Sequence, residues 1–319
     1  MSFRQRWPWI GPDLQTLRDT FALHPRSVDS SQRLPIRLPD GGALLLKLDL
    51  PQWQDPCAWV LLVHGLAGSS ERPGVLRLAR LLVQNGFAVG RLNLRGAGEG
   101  RAMASGTYAA ACNRDLFPVL ATVRQQALDR PLLGVGLSLG GTVLLNALLA
   151  LPGGLDGLAC VSSPLDLAAS SREIERNRNA LYHRYMLRGM VRQTLADPQA
   201  ITPSTLAALD RVGRIRDFDA LITAPRWGYA DIDRYYSEAS PLAMLCSGIY
   251  LPPLLLIQAL DDPLVPTASL IAMASLQLPD VEICLPETGG HNGFHGVGDS
   301  PSGSWADRRV LEWLLRWRR

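Results

Sequence analysis

Residues 134–141, GVGLSLGG, set a serine among glycines between two apolar runs, PLLGVGL (131–137) before and TVLLNALLALP (142–152) after. The first run is short and opens on a proline, as a buried strand does, and the second has the length of a helix. A sharp turn from strand into helix would strain the backbone of Ser138 and lift its hydroxyl above a sheet. Such a turn needs room two residues before and two after the serine, and Gly136 and Gly140 occupy those places. Gly-x-Ser-x-Gly alone is a weak pattern because both residues are common; the flanking strand and helix give it force. The turn also puts the backbone N–H of Leu139 at a helix start, where the donor and the helix dipole favour a developing oxyanion.

A serine hydroxyl needs a base to become a nucleophile, and the base needs an orienting acid. In chains built on this turn the acid and then a histidine follow, each in a loop after a later strand. LLLIQALDDPLVP (254–266) offers Asp261 and Asp262 in a loop stopped by Pro263. Asp262 is preferred because it lies three residues after Ala259, the small residue ending the strand. VEICLPETGGHNGFHG (281–296) offers His291 after a double glycine, with His295 as its rival and as a plain loop residue otherwise. A second oxyanion donor is expected after an early strand, and VLLVHGLAGSS (60–70) supplies the N–H of Leu66. There Gly65 and Gly68 let the loop approach a substrate, while His64 reads as a structural hydrogen-bonder. The expected catalytic set is Ser138, Asp262 and His291, with Leu66, Leu139 and Gly65 around the oxyanion.

The rest of the chain alternates strand and helix. RLPIRLPDGGALLLKLDL (33–50) reads as a hairpin turning on Pro-Asp-Gly-Gly. AWVLLVHG (58–65), FAVGRLNLRG (87–96), GLACVSS (157–163), LPPLLLIQAL (251–260) and VEICLPE (281–287) read as strands. Helices are expected over 74–86, over part of 107–129 with a break or start at Pro118, near 268–277 and over 305–319. The near-continuous apolar strands imply a mostly parallel sheet covered on both faces, an α/β fold. Residues 165–245 break the rhythm with a long polar stretch rich in arginine and tyrosine, expected to be a helical cap whose charges form a solvated face. The expected division is an N-terminal segment (1–32) packing on a core of 33–164 and 246–319, with the cap at 165–245. The last helix reads as a core-covering stripe with snorkelling arginines rather than a membrane anchor.

Composition closes off other classes. The 319 residues are 47% hydrophobic, enough for a sizeable core, and the formal charge of +3 gives no basic surface for nucleic acid. Five scattered cysteines without a C-x-x-C pair argue against a disulfide framework and a thiolate zinc site. His291 and His295 have metal-like spacing, but the glycines between and around them make a poor helix and no third ligand has recognisable spacing. MSFRQRWPWIGPDLQTL lacks a signal-peptide core, and no apolar run reaches membrane-spanning length. The expectation from composition is a soluble cytoplasmic protein with no nucleic acid partner and no thiolate metal site.

Together these residues resemble the α/β-hydrolase superfamily, and within it the YheT-like group, which includes plant embryogenesis-associated proteins and animal membrane-associated hydrolases. The points of resemblance run along the chain: GPDLQTL (11–17), VHGLAGSS, NLRGAGEG (93–100), GLSLGG, RIRDFDALITAPRWGYADIDRYYSEASPL (214–242), ALDDPLVP and GGHNGF. The stretch 214–242 is the most group-specific. Asp13 stands where the group's pattern has histidine, and TYAAACNRDL (107–116) lacks the Tyr-His-x-Gly reading; both departures bear on the pocket rather than the triad. The resemblance implies an eight-stranded sheet, a cap between strands six and seven, and serine-dependent action on carboxylic esters without a cofactor. The alternative is an acyltransferase that would use the same residues with an alcohol in place of water, and a non-catalytic binding relative is a reading of a different class.

Overall fold

The computed structural model describes residues 3–21, 31–197, 199, 201–249, 251–300 and 303–318. The remaining residues of the N-terminal segment, 1–2 and 22–30, lie outside the described residues, as do 198 and 200 in the expected cap. Eight strands form one sheet: β1 (Gln32–Arg37), β2 (Ala43–Asp49), β3 (Ala58–Val63), β4 (Phe87–Asn93), β5 (Leu132–Leu137), β6 (Gly157–Val161), β7 (Leu254–Ile257) and β8 (Val281–Cys284), in the order β1-β2-β4-β3-β5-β6-β7-β8. The hairpin β1–β2 is antiparallel, β2 pairs antiparallel with β4, and every other pairing is parallel. In the hairpin turn the Asp40 side chain accepts the Gly42 N–H at 3.0 Å.

Burial on both faces explains the uninterrupted apolar strands. All six residues of β3 are buried. Trp59, Leu61 and Val63 join one core, and Ala58, Val60 and Leu62 join the core on the other face, as the two-residue period of a strand requires. One face is covered by α3 (Asn113–Ala127), α4 (Leu139–Ala150) and α12 (Ala268–Ser275). The other is covered by α2 (Pro73–Gln84) and α13 (Trp305–Leu314), which presses Val310, Trp313 and Leu314 onto the sheet. α1 (Pro12–Phe21) precedes the sheet in sequence. Between β6 and β7 lie the cap helices α5 (Leu167–Ile174), α6 (Ala180–Leu195), α7 (Pro203–Leu209), α8 (Ile215–Phe218), α9 (Ala224–Trp227), α10 (Ile232–Glu238) and α11 (Leu242–Cys246). One turn of π-helix, Asp219–Thr223, joins α8 to α9. Among the described residues no helix is long and apolar enough to cross a membrane.

The strands end short of their apolar runs, β7 at Leu254–Ile257 and β8 at Val281–Cys284, and two helices also differ from expectation. Pro118 neither starts nor breaks a helix but sits inside α3. The lost hydrogen bond and ring clash cost about 3 kcal/mol. Burial of Leu116, Val119, Leu120 and Val123 from the same helix offsets that and carries it through. The last helix ends at Leu314 and closes with a 3₁₀ turn at 315–317, where Trp317 stacks near Trp313 with ring centroids 4.6 Å apart.

Candidate active site

β5 runs directly into Ser138, whose φ of 52° and ψ of −130° precede α4. A non-glycine residue at such a φ stores backbone strain of about 1–3 kcal/mol, held only where surroundings over-determine it. Here they do: the Ser138 N–H donates to Val161 O at 2.8 Å, and its carbonyl accepts from Gly141 N at 3.0 Å. A Cβ on Gly136 would stand 2.2 Å from the Gly141 backbone, and one on Gly140 2.3 Å from Val63 O. Gly141 is bound by the same crowding, since its Cβ would meet Ser163 Oγ at 2.1 Å. The packing of α4 against β5 and against the chain at the ends of β3 and β6 therefore dictates all three glycines.

The loop after β7 separates the two aspartates. The Asp262 side chain is fully buried; its Oδ1 accepts the N–H groups of Leu264 (2.8 Å) and Val265 (3.0 Å), and its Oδ2 lies 2.9 Å from His291 Nδ1. His291 Nε2 is 2.9 Å from Ser138 Oγ. With the ring proton on Nδ1, the imidazole donates to Asp262 and accepts the serine hydroxyl. Asp261 turns away: its Oδ1 accepts the Gly290 N–H at 2.9 Å, and burial pushes its carboxyl above the ordinary range. His295 also stands apart, its Nδ1 3.0 Å from Gly303 O and its Nε2 3.6 Å from Asp19 Oδ1. Burial, reinforced by the nearby Arg77, pulls the His295 pKa down to about 3.

The loop after β3 lies against the serine. A Cβ on Gly65 would be 2.8 Å from Ser138 Cβ, so only glycine admits this approach. His64 is buried and neutral, its pKa pulled down to about 4 by desolvation; its Nδ1–H donates to Gly65 O (2.8 Å) and its Nε2 accepts the Leu94 N–H (3.3 Å). The Tyr108 hydroxyl accepts the Ala67 N–H at 2.8 Å and lies 3.4 Å from Gly65 O. His64 and Tyr108 thus fix the loop carrying Leu66, while Leu139 opens α4, where no intrahelical carbonyl awaits its N–H. Sequence reasoning did not single out Tyr108; an aromatic hydroxyl within 107–116 was the only signal.

The histidine loop depends on the far end of the chain. The His291 N–H donates to Thr16 Oγ1 at 2.8 Å, and the Thr16 hydroxyl donates to Pro12 O at 2.7 Å. Gln15, fully buried, donates to Trp9 O and His295 O and accepts the His295 N–H at 2.7 Å. Gly290, at φ +60°, and Gly293 let α1 close in: their Cβ atoms would sit 2.4 Å from Pro12 O and 2.5 Å from Gln15 O. On the opposite side Ser162 Oγ accepts the Asn292 N–H at 3.1 Å. A cap residue completes the frame, buried Asn179 donating to Pro263 O at 2.6 Å beside the acid. Residues 14–16 entered the sequence reading only through the resemblance.

Above Ser138 and His291 opens a pocket of about 840 Å³, its mouth included, lined by apolar groups such as Leu66, Leu139, Met186, Met190, Phe218 and Leu264. Polar groups share the lining on the cap side, among them Ser171, Gln193, Asp219, Thr223 and Tyr236, and Asp219 is the carboxylate of that set. Among the described residues no three His, Cys, Asp or Glu side chains are placed to hold a metal ion.

Comparison with known proteins gives these features a lineage. The family model for the alpha/beta hydrolase fold matches residues 58–296. YheT of Escherichia coli (strain K12) is 33% identical over 88% of this chain and 83% of its own. The human protein named phospholipase ABHD3 is 30% identical over 90% of this chain and 72% of its own. The Saccharomyces cerevisiae protein named medium-chain fatty acid ethyl ester synthase/esterase 2 is 26% identical over 94% and 70%. Among solved structures, the Pyrococcus furiosus esterase Pf2001 superposes with a TM-score of 0.60 at 18% identity, covering 93% of this chain and 97% of that one. At that identity the likeness speaks for the fold. The chain belongs to the α/β-hydrolase family, in its YheT-like branch.

Proposed function

We propose that this α/β hydrolase cleaves carboxylic esters with an apolar acyl chain through a covalent acyl-enzyme. The observation that carries the reading is the unbroken relay from Asp262 through His291 to Ser138, with 2.9 Å at each junction. Ser138 Oγ attacks the ester carbonyl while His291 Nε2 takes its proton, and Asp262 steadies the imidazolium that forms. The N–H groups of Leu66 and Leu139 receive the negative charge on the tetrahedral oxygen. Collapse of that intermediate passes the proton from His291 to the departing alcohol. Water then enters, is deprotonated by His291, and releases the acid, so the enzyme returns to its starting state. The apolar lining of the pocket supports an acyl chain, and the esterase and phospholipase names of relatives agree with ester bonds as the target. No step needs a metal or organic cofactor. The same proposal assigns residues 165–245 as the cap over the site and, on the scattered odd number of cysteines, a cytoplasmic location.

The yeast relative's name couples ester synthesis with ester cleavage and favours a second reading, in which an alcohol resolves the acyl-enzyme in place of water. The test is release of nitrophenolate from p-nitrophenyl esters of increasing chain length, with and without added alcohol, beside Ser138→Ala. Activity dependent on Ser138 with a chain-length optimum is expected. A wild type no faster than the alanine variant on every ester, and unlabelled by a fluorophosphonate, defeats the reading. Ester product in excess over acid when alcohol is added selects transfer.

A further inference from the structure

Asp219 is out of keeping with an acyl pocket. Its carboxylate lines the same cavity as Ser138 and His291, among Ile174, Met186, Met190, Ile215 and Phe218. Two hydroxyls serve it: Tyr236 donates to Oδ2 at 3.0 Å, and Thr223 supplies a second hydrogen bond. The Tyr236 oxygen lies a further 3.1 Å from Ser171 Oγ, so a short chain of hydroxyls backs the carboxylate. No basic side chain pairs with Asp219 among the described residues. Arg216, which passes 5.6 Å from the Tyr236 ring, is committed to Asp233, and the charged neighbour that Asp219 does feel is Glu175, of its own sign. Burial accordingly pushes the Asp219 carboxyl up to about 6. The residue also opens the π-helical turn Asp219–Thr223, a backbone irregularity that recurs at functional sites.

An ionised carboxylate has room for about four hydrogen bonds. Tyr236 and Thr223 fill two, and Asp219 lines the cavity with capacity left over. Pressing a plain alkyl chain against it would desolvate the charge with nothing in return. Deepening the ester-hydrolase reading of this pocket, we infer that Asp219, backed by Tyr236 and Ser171, is a second recognition point that receives a hydrogen-bond donor carried by the substrate away from the scissile ester, a hydroxyl or a protonated amine. The natural substrate is then an amphiphilic ester with an apolar stretch between two polar ends. Ser138 engages one end and Asp219 the other.

The experiment separates this subsite from the chemistry by using Ser138→Ala, which binds esters without turning them over. Calorimetry measures binding of matched esters ending in methyl, hydroxyl or primary amine, across a series of chain lengths and with the terminal group placed in the acyl or in the alcohol arm. The donor-bearing ester is expected to bind roughly 10- to 100-fold tighter than its methyl counterpart at one chain length, the range of a hydrogen bond to a charged group. In the same background Asp219→Leu brings that ratio close to one. Asp219→Asn, which still accepts from Tyr236 and Thr223, keeps part of the hydroxyl preference and loses the amine preference. The ratio is taken within each variant, and thermal melting checks that each is folded. Equal, absent or reversed preference in Ser138→Ala, or a preference that survives in Asp219→Leu, overturns the inference. A preference that depends on Asp219 in a protein that hydrolyses no ester keeps the subsite and removes the ester-hydrolase reading instead.

Discussion

The serine turn at 136–141 and the histidine loop at 289–293 deliver two side chains to one point, and both are crowded enough to demand glycine. They differ in what crowds them. The turn is confined by the sheet itself, by Val63 O at the end of β3 and Ser163 after β6. The loop is confined by α1, through Pro12 O, Gln15 O and the Thr16 hydroxyl that receives the His291 N–H. The framework of the fold presents the serine, and a helix from outside the sheet presents the histidine. Damage to the first should therefore appear as lost stability, and damage to the second as lost turnover in a protein that still folds.

The largest effect falls where the two regions meet. Asp262→Asn should lower kcat/KM by about 10³–10⁴-fold, because an amide no longer holds His291 in the tautomer that accepts the serine proton. Asp261→Asn should cost less than about tenfold, since Asp261 accepts backbone N–H groups of the glycine pair and does not contact the imidazole. Equal losses in the two variants would dissolve the distinction between orienting acid and loop support.

Next comes a matched pair of glycines. Gly140→Ala drives a methyl group to 2.3 Å from the Val63 carbonyl, where neither α4 nor β3 can yield, and should destabilise by roughly 3–5 kcal/mol in urea melts. Gly290→Ala meets a helix that can shift, and should cost less stability but lower kcat about 10- to 100-fold through misplacement of His291. The contrast breaks if Gly290→Ala unfolds the protein while Gly140→Ala leaves it intact.

Thr16→Val is a subtler probe of the same helix. Removing the acceptor for His291 N–H should reduce kcat roughly tenfold with little change in KM, and Thr16→Ser should restore it. A loss that serine fails to rescue would mean that α1 acts only as packing.

The smallest effect treats both regions alike. Each has a buried neutral histidine beside it, His64 with a pKa near 4 and His295 near 3. Both lie below the ordinary value of about 6.5, so on acidification the unfolded chain binds protons first. Stability is then unaffected above pH about 6.5 and falls below it. The decline from each group levels off only when the folded pKa is passed, near 4 for His64 and near 3 for His295. Urea melts of His64→Gln and His295→Gln should each flatten the slope between pH 6 and 4 by up to about 1.4 kcal/mol per pH unit. An unchanged slope in either variant would show that its histidine already titrates freely.

What the sequence made legible follows the same division. The turn could be read because its constraint is steric and its period fixed: Gly136 and Gly140 flank Ser138 at set distances between a strand and a helix. The alternating cores of β3 and β7 follow from apolar runs that a parallel sheet buries on both faces. The adjacent aspartates could be ranked by spacing, but only the fold shows that Asp262 turns to His291 while Asp261 turns to Gly290. Thr16, Gln15 and Tyr108 act through contacts far apart along the chain, and a local pattern carries no trace of such a contact. Pro118 shows the converse, a local rule overridden when four apolar neighbours are buried on the same helix. Asp219 sits in a stretch whose charge read as a solvated face, and its place in the pocket depends on how the cap helices fold back.

The tie between Thr16 and His291 also sets a schedule. The two residues stand 275 positions apart. A chain growing from its N-terminus makes α1 long before the loop it supports. Over the 153 positions from Ser138 to His291, the serine has been made while its proposed base has yet to be made and then seated. The nascent protein carries its proposed nucleophile without the means to activate it, so reactivity arrives in one late closure that joins two segments 275 positions apart.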